Sequence, residues 1–409
     1  MSKITIRTKT ATKVAVKTIL GISLLAAAAG TAAYGFASGT LSLGGPKLRI
    51  TEAVSSPAPD ILVQSSALNH ISTFHIAMTG EDVTVSRLTL RNCVARKDAD
   101  GDCADAMESP GESKAVTRAY ITYPTATGTK TATTAMYGDI ARFVGLDLYV
   151  NKTTGADVEV SVDLNDFATA GVASGSAIQF NADAINGPFE MVGLTSGITY
   201  TEKEVKQYTV GERMVLRNTK PTVTLSSSSA SGSTVPGRGE VLTFNVSANA
   251  AANLTVDGFL FKMNATDNGA SGWNDCDTDG TLVTAATDFD LYDTSPSGVT
   301  THVDKKDKNW SLLKSDGTAC DTTATDMAYA RIVFPTAVTI SAGTTHTFSL
   351  YFDSTGTSSA SDDSMRFDIP AESATPTSLK SVTWSDGSAT GIDGTLIDNL
   401  TLSGGTLIF

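Results

Sequence analysis

Histidine and cysteine are scarce, with four of each in 409 residues. No HExxH or other paired spacing links His70, His75, His302 and His346, and no CxxC joins the cysteines, which argues against a zinc enzyme and a redox motif. The glycines form neither GxGxxG nor GxxxxGK[ST], so no phosphate cradle is visible, and there is no GxSxG nucleophile elbow. Ser311 and Lys314, followed by Ser315 and Asp316, imitate part of the penicillin-recognising pattern, but no KTG strand accompanies them and we read the match as coincidence. Positive charge is also short. Against 43 Asp and Glu stand 30 Lys and Arg, and five of those cations fall within the first seventeen residues. Without that segment 25 face 43, a net charge of −18, which repels nucleic acid and anionic lipid. The chain is expected to be non-enzymatic.

Residues 1–37 read as an export signal or a retained membrane anchor. Lys3, Arg7, Lys9, Lys13 and Lys17 precede an uncharged run from Thr18 to Ala37. Beyond it the chain repeats itself. Six segments after Pro46 recur in the same order after Pro221: PKLRITEAVSSPAPDILV with PTVTLSSSSASGSTV, FHIA with FNVS, VTVSRLTLRN with LTVDGFLFKMN, ARFV with ARIV, VEVSVD with FSLYFD, and AIQFN with MRFD. Within them apolar residues alternate, as Val158, Val160 and Val162 do against Glu159, Ser161 and Asp163, and turn residues return about every ten positions. This is the pattern of half-buried antiparallel strands, so the expected fold is all-β: two tandem immunoglobulin-like β-sandwich domains, 38–217 and 218–409. The polar stretch Asn218 to Leu225 is expected to be the hinge, with Pro221 keeping it extended.

Each unit carries an insertion at the same place, 93–140 and 265–329, and all four cysteines lie there. In an exported chain an even count favours disulfides, and pairing within each unit joins Cys93 to Cys103 and Cys276 to Cys320. Both insertions are acidic. Asp275, Asp277, Asp279 and Gly280 reproduce the opening of a calcium loop, and Asp98, Asp100 and Asp102 share the spacing with Gly101 too early. Ser109 and Ala286 stand where an EF-hand needs Glu, so that motif is excluded. Two readings stay open: solvated loop tips, or a looser Ca2+ site completed by Asp105, Asp288 or Asp290. Six Asn-x-Ser/Thr sequons, at Asn151, Asn245, Asn253, Asn264, Asn309 and Asn399, permit glycosylation. Trp384 of WSDG reads as a packing residue at a strand end.

The run KPTVTLSSSSASGSTVPGRGEVLTFNVSANAAANLTV, Lys220 to Val256, together with VTWSDGSA from Val382 and the terminal GGTLIF, resembles secreted bacterial surface proteins built of tandem immunoglobulin-like domains, a family common among candidate-phylum bacteria. The resemblance covers most of the second unit and less of the first, where WSDG has no evident counterpart. Composition is also similar to that of S-layer proteins. It implies an extracellular location and a structural role, as an S-layer or surface-array subunit that associates with itself or with other envelope proteins. The alternative is an adhesin whose insertions contact a glycan or a host surface. Only the N-terminal segment is expected to meet a membrane, and no nucleic-acid partner is expected.

Overall fold

The computed structural model describes residues 47–93, 113–182, 189–201, 209–266, 289–295, 301–302, 310–319, 329–355, 363–376 and 379–409. Residues 1–37, read above as an export signal or a membrane anchor, lie outside these residues.

Strands dominate because apolar residues recur every second position and β-branched residues are frequent. The first half contains β1 (Leu48–Glu52), β2 (Ile61–Val63), β3 (Asn69–Met78), β4 (Val83–Asn92), β5 (Val116–Thr125), β6 (Gly128–Tyr137) and β7 (Ile140–Val150). It continues with β8 (Ala156–Leu164), β9 (Ala177–Ile178), β10 (Phe180–Ala182), β11 (Glu190–Gly193), β12 (Thr199–Thr201) and β13 (Met214–Arg217). One sheet runs β1-β3-β8-β5-β6 and passes through the β6–β7 turn into β7-β4-β11-β12, with β10 also on β4. A small sheet, β2-β13-β9, stands beside it. On β8 the alternation is complete, with Val158, Val160 and Val162 fully buried and Asp157 and Glu159 exposed.

The second half contains β14 (Pro221–Leu225), β15 (Gly232–Ser233), β16 (Arg238–Ala248), β17 (Leu254–Thr266), β18 (Phe289–Asp293), β19 (Thr301–His302) and β20 (Trp310–Leu313). It ends with β21 (Tyr329–Ile340), β22 (Thr345–Asp353), β23 (Ser364–Ile369), β24 (Val382–Ser385), β25 (Leu402–Ser403) and β26 (Leu407–Ile408). Its sheets are β14-β16-β22-β18-β19 and β15-β26-β23-β17-β21-β20, with β24 on β17 and β25 on β23. Their inner faces meet through aromatic rings. Phe244 of β16 lies 4.9 Å from Phe259 of β17, and Phe348 of β22 lies 5.5 Å from Phe259.

The six repeated segments occupy equivalent strands. The order β1-β3-β8-β5 is answered by β14-β16-β22-β18, and β4, flanked by β7, β10 and β11, is answered by β17, flanked by β21, β23 and β24. Register agrees residue by residue. Phe74 faces Val158 as Phe244 faces Phe348, and Leu90 faces Ala141 as Phe261 faces Ala330. Bulges recur too, at Val85/Arg87 and Val256/Gly258, and at His70/Ser72 and Glu240/Leu242. Each half closes with a parallel pair, β13 on β2 and β26 on β15. Phe, Leu and Val exchange at matched core positions while the backbone pattern is kept.

Two expectations change. The insertions 93–140 and 265–329 are not loops alone. The first supplies β5 and β6 and buries Val116, Ala119 and Ile121, and the second supplies β18, β19 and β20. Nor is Asn218 to Leu225 a free hinge, because Pro221–Leu225 is strand β14, paired over its whole length with β16. From Pro46 to Phe409 the chain is one compact unit. Ile61 and Val63 of β2 leave the first core to pack into the second.

Candidate functional site

The acidic segments fill equivalent connections. One leaves the end of β4 and returns at β5, on the other arm of the same continuous sheet; the other leaves β17 and returns at β18, in the facing sheet. Asp98, Asp100, Asp102, Cys103, Asp105, Asp275, Cys276, Asp277, Asp279, Asp288 and Cys320 lie outside the described residues. At the root of the first connection Asn92 takes the backbone N–H of Gln179 on its Oδ1 at 2.9 Å and donates through Nδ2 to Ser113 at 3.0 Å, which holds the departing and returning chain together. Cys93 follows, buried and disulfide-bonded, and its partner is outside the described residues. At the root of the second, Asp290 is buried and forms an ion pair with Arg238 of β16, so its carboxylate is already engaged. Among the described residues no group of three or more His, Cys, Asp and Glu is placed to hold a metal ion.

A polar constellation among the described residues lies elsewhere, between the halves. Asp386 follows β24 in the WSDG turn and is 2% exposed. Its carboxylate accepts the backbone N–H groups of Ser388 at 3.1 Å and Ala389 at 2.8 Å, which shape the turn, and Gly387 takes φ +85° beside it. It accepts the Ser174 hydroxyl from the first half and the N–H of Asn218, just past β13, at 3.2 Å. The Asn218 amide donates back to Asp386 O and to Ser388 Oγ at 2.8 Å, and Arg217 reaches Ser174. One residue pair further on, Lys220 donates to Asp60 at 2.5 Å and to Asp398 at 2.8 Å. Burial depresses the Lys220 ammonium, but hydrogen bonds to Asp398 and Asp60 outweigh it and its pKa is raised. Around this joint Ile61, Val215, Ile392 and Leu396 line a cleft of about 380 Å³, with Arg213 and Arg217 at its side.

Other charged groups serve loops. Glu81 accepts the Ser196 hydroxyl at 2.6 Å and N–H at 2.8 Å, the Tyr200 hydroxyl and the Thr195 N–H, and these bonds, Ser196 first, hold its carboxyl down at about 2. The Lys152 N–H and then the Tyr149 hydroxyl lower Asp82 in the same way. His75 pairs with Asp157 at 2.6 Å and His346 with Asp293 at 2.7 Å, each across neighbouring strands. Trp384 is fully buried and donates through Nε1 to Asp393 O at 2.8 Å. Sequence reading singled out that tryptophan and missed the aspartate two residues later. The signal was present, as Asp-Gly in a turn and a lysine in the linker, but only the tertiary fold brings them together.

No family model matches the chain, and no curated protein matches it. Solved structures similar in part include a Corynebacterium diphtheriae protein described as membrane anchored, at 9% identity and TM-score 0.19, covering 89% of this chain and 95% of that one. A chaperone–tip adhesin complex of CFA/I fimbriae gives 8% identity and TM-score 0.14, covering 76% of this chain and 95% of that one. At these scores neither likeness carries an argument about fold or activity.

Proposed function

We propose that the protein is a non-enzymatic structural component of the cell envelope, exported and displayed on the surface as a subunit of an S-layer or similar array. The observation that supports this reading most directly is the joint between the halves. Asp386 and Lys220, the polar groups at the centre of the constellation, bond to both halves, so two all-β repeats become one stiff body. Rigidity of this kind suits a building unit that must present the same faces in every copy. The acidic connections at equivalent places in the two halves are proposed as weak calcium sites, using Asp98, Asp100, Asp102 and Asp105 in one and Asp275, Asp277 and Asp279 in the other. Disulfides Cys93–Cys103 and Cys276–Cys320 would staple them. Carboxylates at alternate positions converge on a hard cation, and millimolar external calcium would fill sites of this kind.

Negative-stain electron microscopy of the purified protein with millimolar calcium and with chelator tests the reading. Sheets or tubes that dissolve in chelator are expected. Isolated particles under both conditions, at high protein concentration, would remove the array and turn attention to an adhesive role for the acidic connections.

A further inference from the structure

Strand β6 presents a long edge that no described strand covers. It pairs with β5 from Gly128 to Ala135, whereas β7 takes up only Met136 and Tyr137 on its other side. Thr125 and Gly128 close a two-residue turn, so the pairs Thr125 with Gly128, Tyr123 with Lys130, Ile121 with Ala132 and Ala119 with Thr134 exchange hydrogen bonds. The N–H and C=O groups of Thr129, Thr131, Thr133 and Ala135 therefore point away from β5. All four residues are exposed.

Edges of soluble proteins are normally guarded by shortness, proline, bulges or charge. Most other edge strands here follow that rule: β12 has three residues and β20 four, β14 begins with Pro221, and β1 carries Arg49 and Glu52. The ten residues of β6 contain no proline, its pairing with β5 has no bulge, and its single charge, Lys130, is engaged by Asp147. Threonine, a good strand former, fills four of its positions.

We infer that β6 is a pairing edge for a second copy of this chain, which adds its own β6 antiparallel and continues the sheet from one molecule into the next. This rests on the array reading and names one contact within it. Charge favours a second copy over an unrelated strand. The chain carries a net charge of −13, so two copies repel over most of their surface, yet from Ser113 to Gly138 there is no Asp or Glu. Facing β6 strands therefore bring no Asp or Glu opposite one another, and the Asp147 carboxylate beside them is paired with Lys130. Side chains are self-complementary as well. Thr131 already shares a hydroxyl hydrogen bond of 2.9 Å with Thr122 on β5, and threonines of a facing β6 extend that ladder. The register centred on Ala132 pairs Thr131 with Thr133 and Thr129 with Ala135, the residues whose backbone groups face outward, and places Lys130 opposite Thr134 and never opposite itself. The contact is isologous and closes as a two-fold dimer.

The test compares the exported chain with its Thr131→Lys/Thr133→Lys variant, using Thr153→Lys/Thr154→Lys on the exposed β7–β8 turn as a control of equal charge. Sedimentation equilibrium is expected to show a concentration-dependent dimer that the β6 variant weakens at least about tenfold and the control leaves alone. In wild type, hydrogen exchange of the Thr129, Thr131 and Thr133 amides is expected to slow as concentration rises. Unchanged association of the β6 variant, or amides equally fast at every concentration, would overturn the inference, and arrays still formed by that variant would leave the array reading standing on other contacts. Dimers through β6 without arrays would do the reverse. Protection of β6 only by a different envelope protein would overturn the second copy as its occupant.

Discussion

Met191 and Trp384 stand at the same place in the two repeats, the first against Val85 of β4 and the second against Val256 of β17. The strand that carries the tryptophan of WSDG therefore has a counterpart after all, β11 (Glu190–Gly193), hidden because a thioether and an indole fill matching places with no common letter. Trp384 is fully buried and its N–H is bonded, so Trp384→Ala should cost about 3–5 kcal/mol, measured by denaturant unfolding, and Trp384→Phe less. Glu81 gives a prediction in pH. Its carboxyl falls from an ordinary 4.5 to about 2 in the fold, so the ionised form supports the Gly193–Gly197 turn above 4.5 and that support is lost as pH falls toward 2. Protection of the Thr195 and Ser196 amides should decline through that window, and Glu81→Gln should show the low-pH protection already at neutral pH. Such roles are not legible in sequence, because the glutamate and its partners are more than a hundred positions apart.

Alternation made the strands legible wherever one face is buried, as on β8 and β22. It failed for β6, whose Thr and Ala positions are exposed or only partly buried, so nothing in its pattern separates inside from outside. That is why a paired strand reads as part of an insertion. Bulges were equally silent. At the second-half bulge a Cβ on Gly258 would lie 2.4 Å from Ile332 O and 3.2 Å from Val333 Cα, both backbone atoms that cannot turn aside. Gly258→Ala is expected to destabilise by about 1–3 kcal/mol, checked by thermal unfolding. Arg87 holds the corresponding place in the first half, which shows that the two bulges pass their partners differently although the register shift recurs.

At the scale of the whole molecule, the joint predicts how the protein melts. With Ile61 and Val63 in the second core and Asp386 bonded to both halves, scanning calorimetry should show one transition for residues 46–409. Asp386→Ala removes a buried acceptor from Ser174, Asn218, Ser388 and Ala389, and should cost about 3 kcal/mol or more and separate the halves into two transitions. The parallel closing pairs, β2 with β13 and β15 with β26, have a mechanical consequence. Tension that enters upstream of β2 and leaves beyond β13 drags two parallel strands along their own axes in opposite senses. Their hydrogen bonds are sheared together instead of being peeled one at a time. Just past β13 the pull meets Asn218 and Lys220, already fastened to the next repeat, and β15 with β26 offers the same resistance there. In the surface-displayed subunit proposed above, flow over the cell would load each repeat along the direction in which its closing strands hold best.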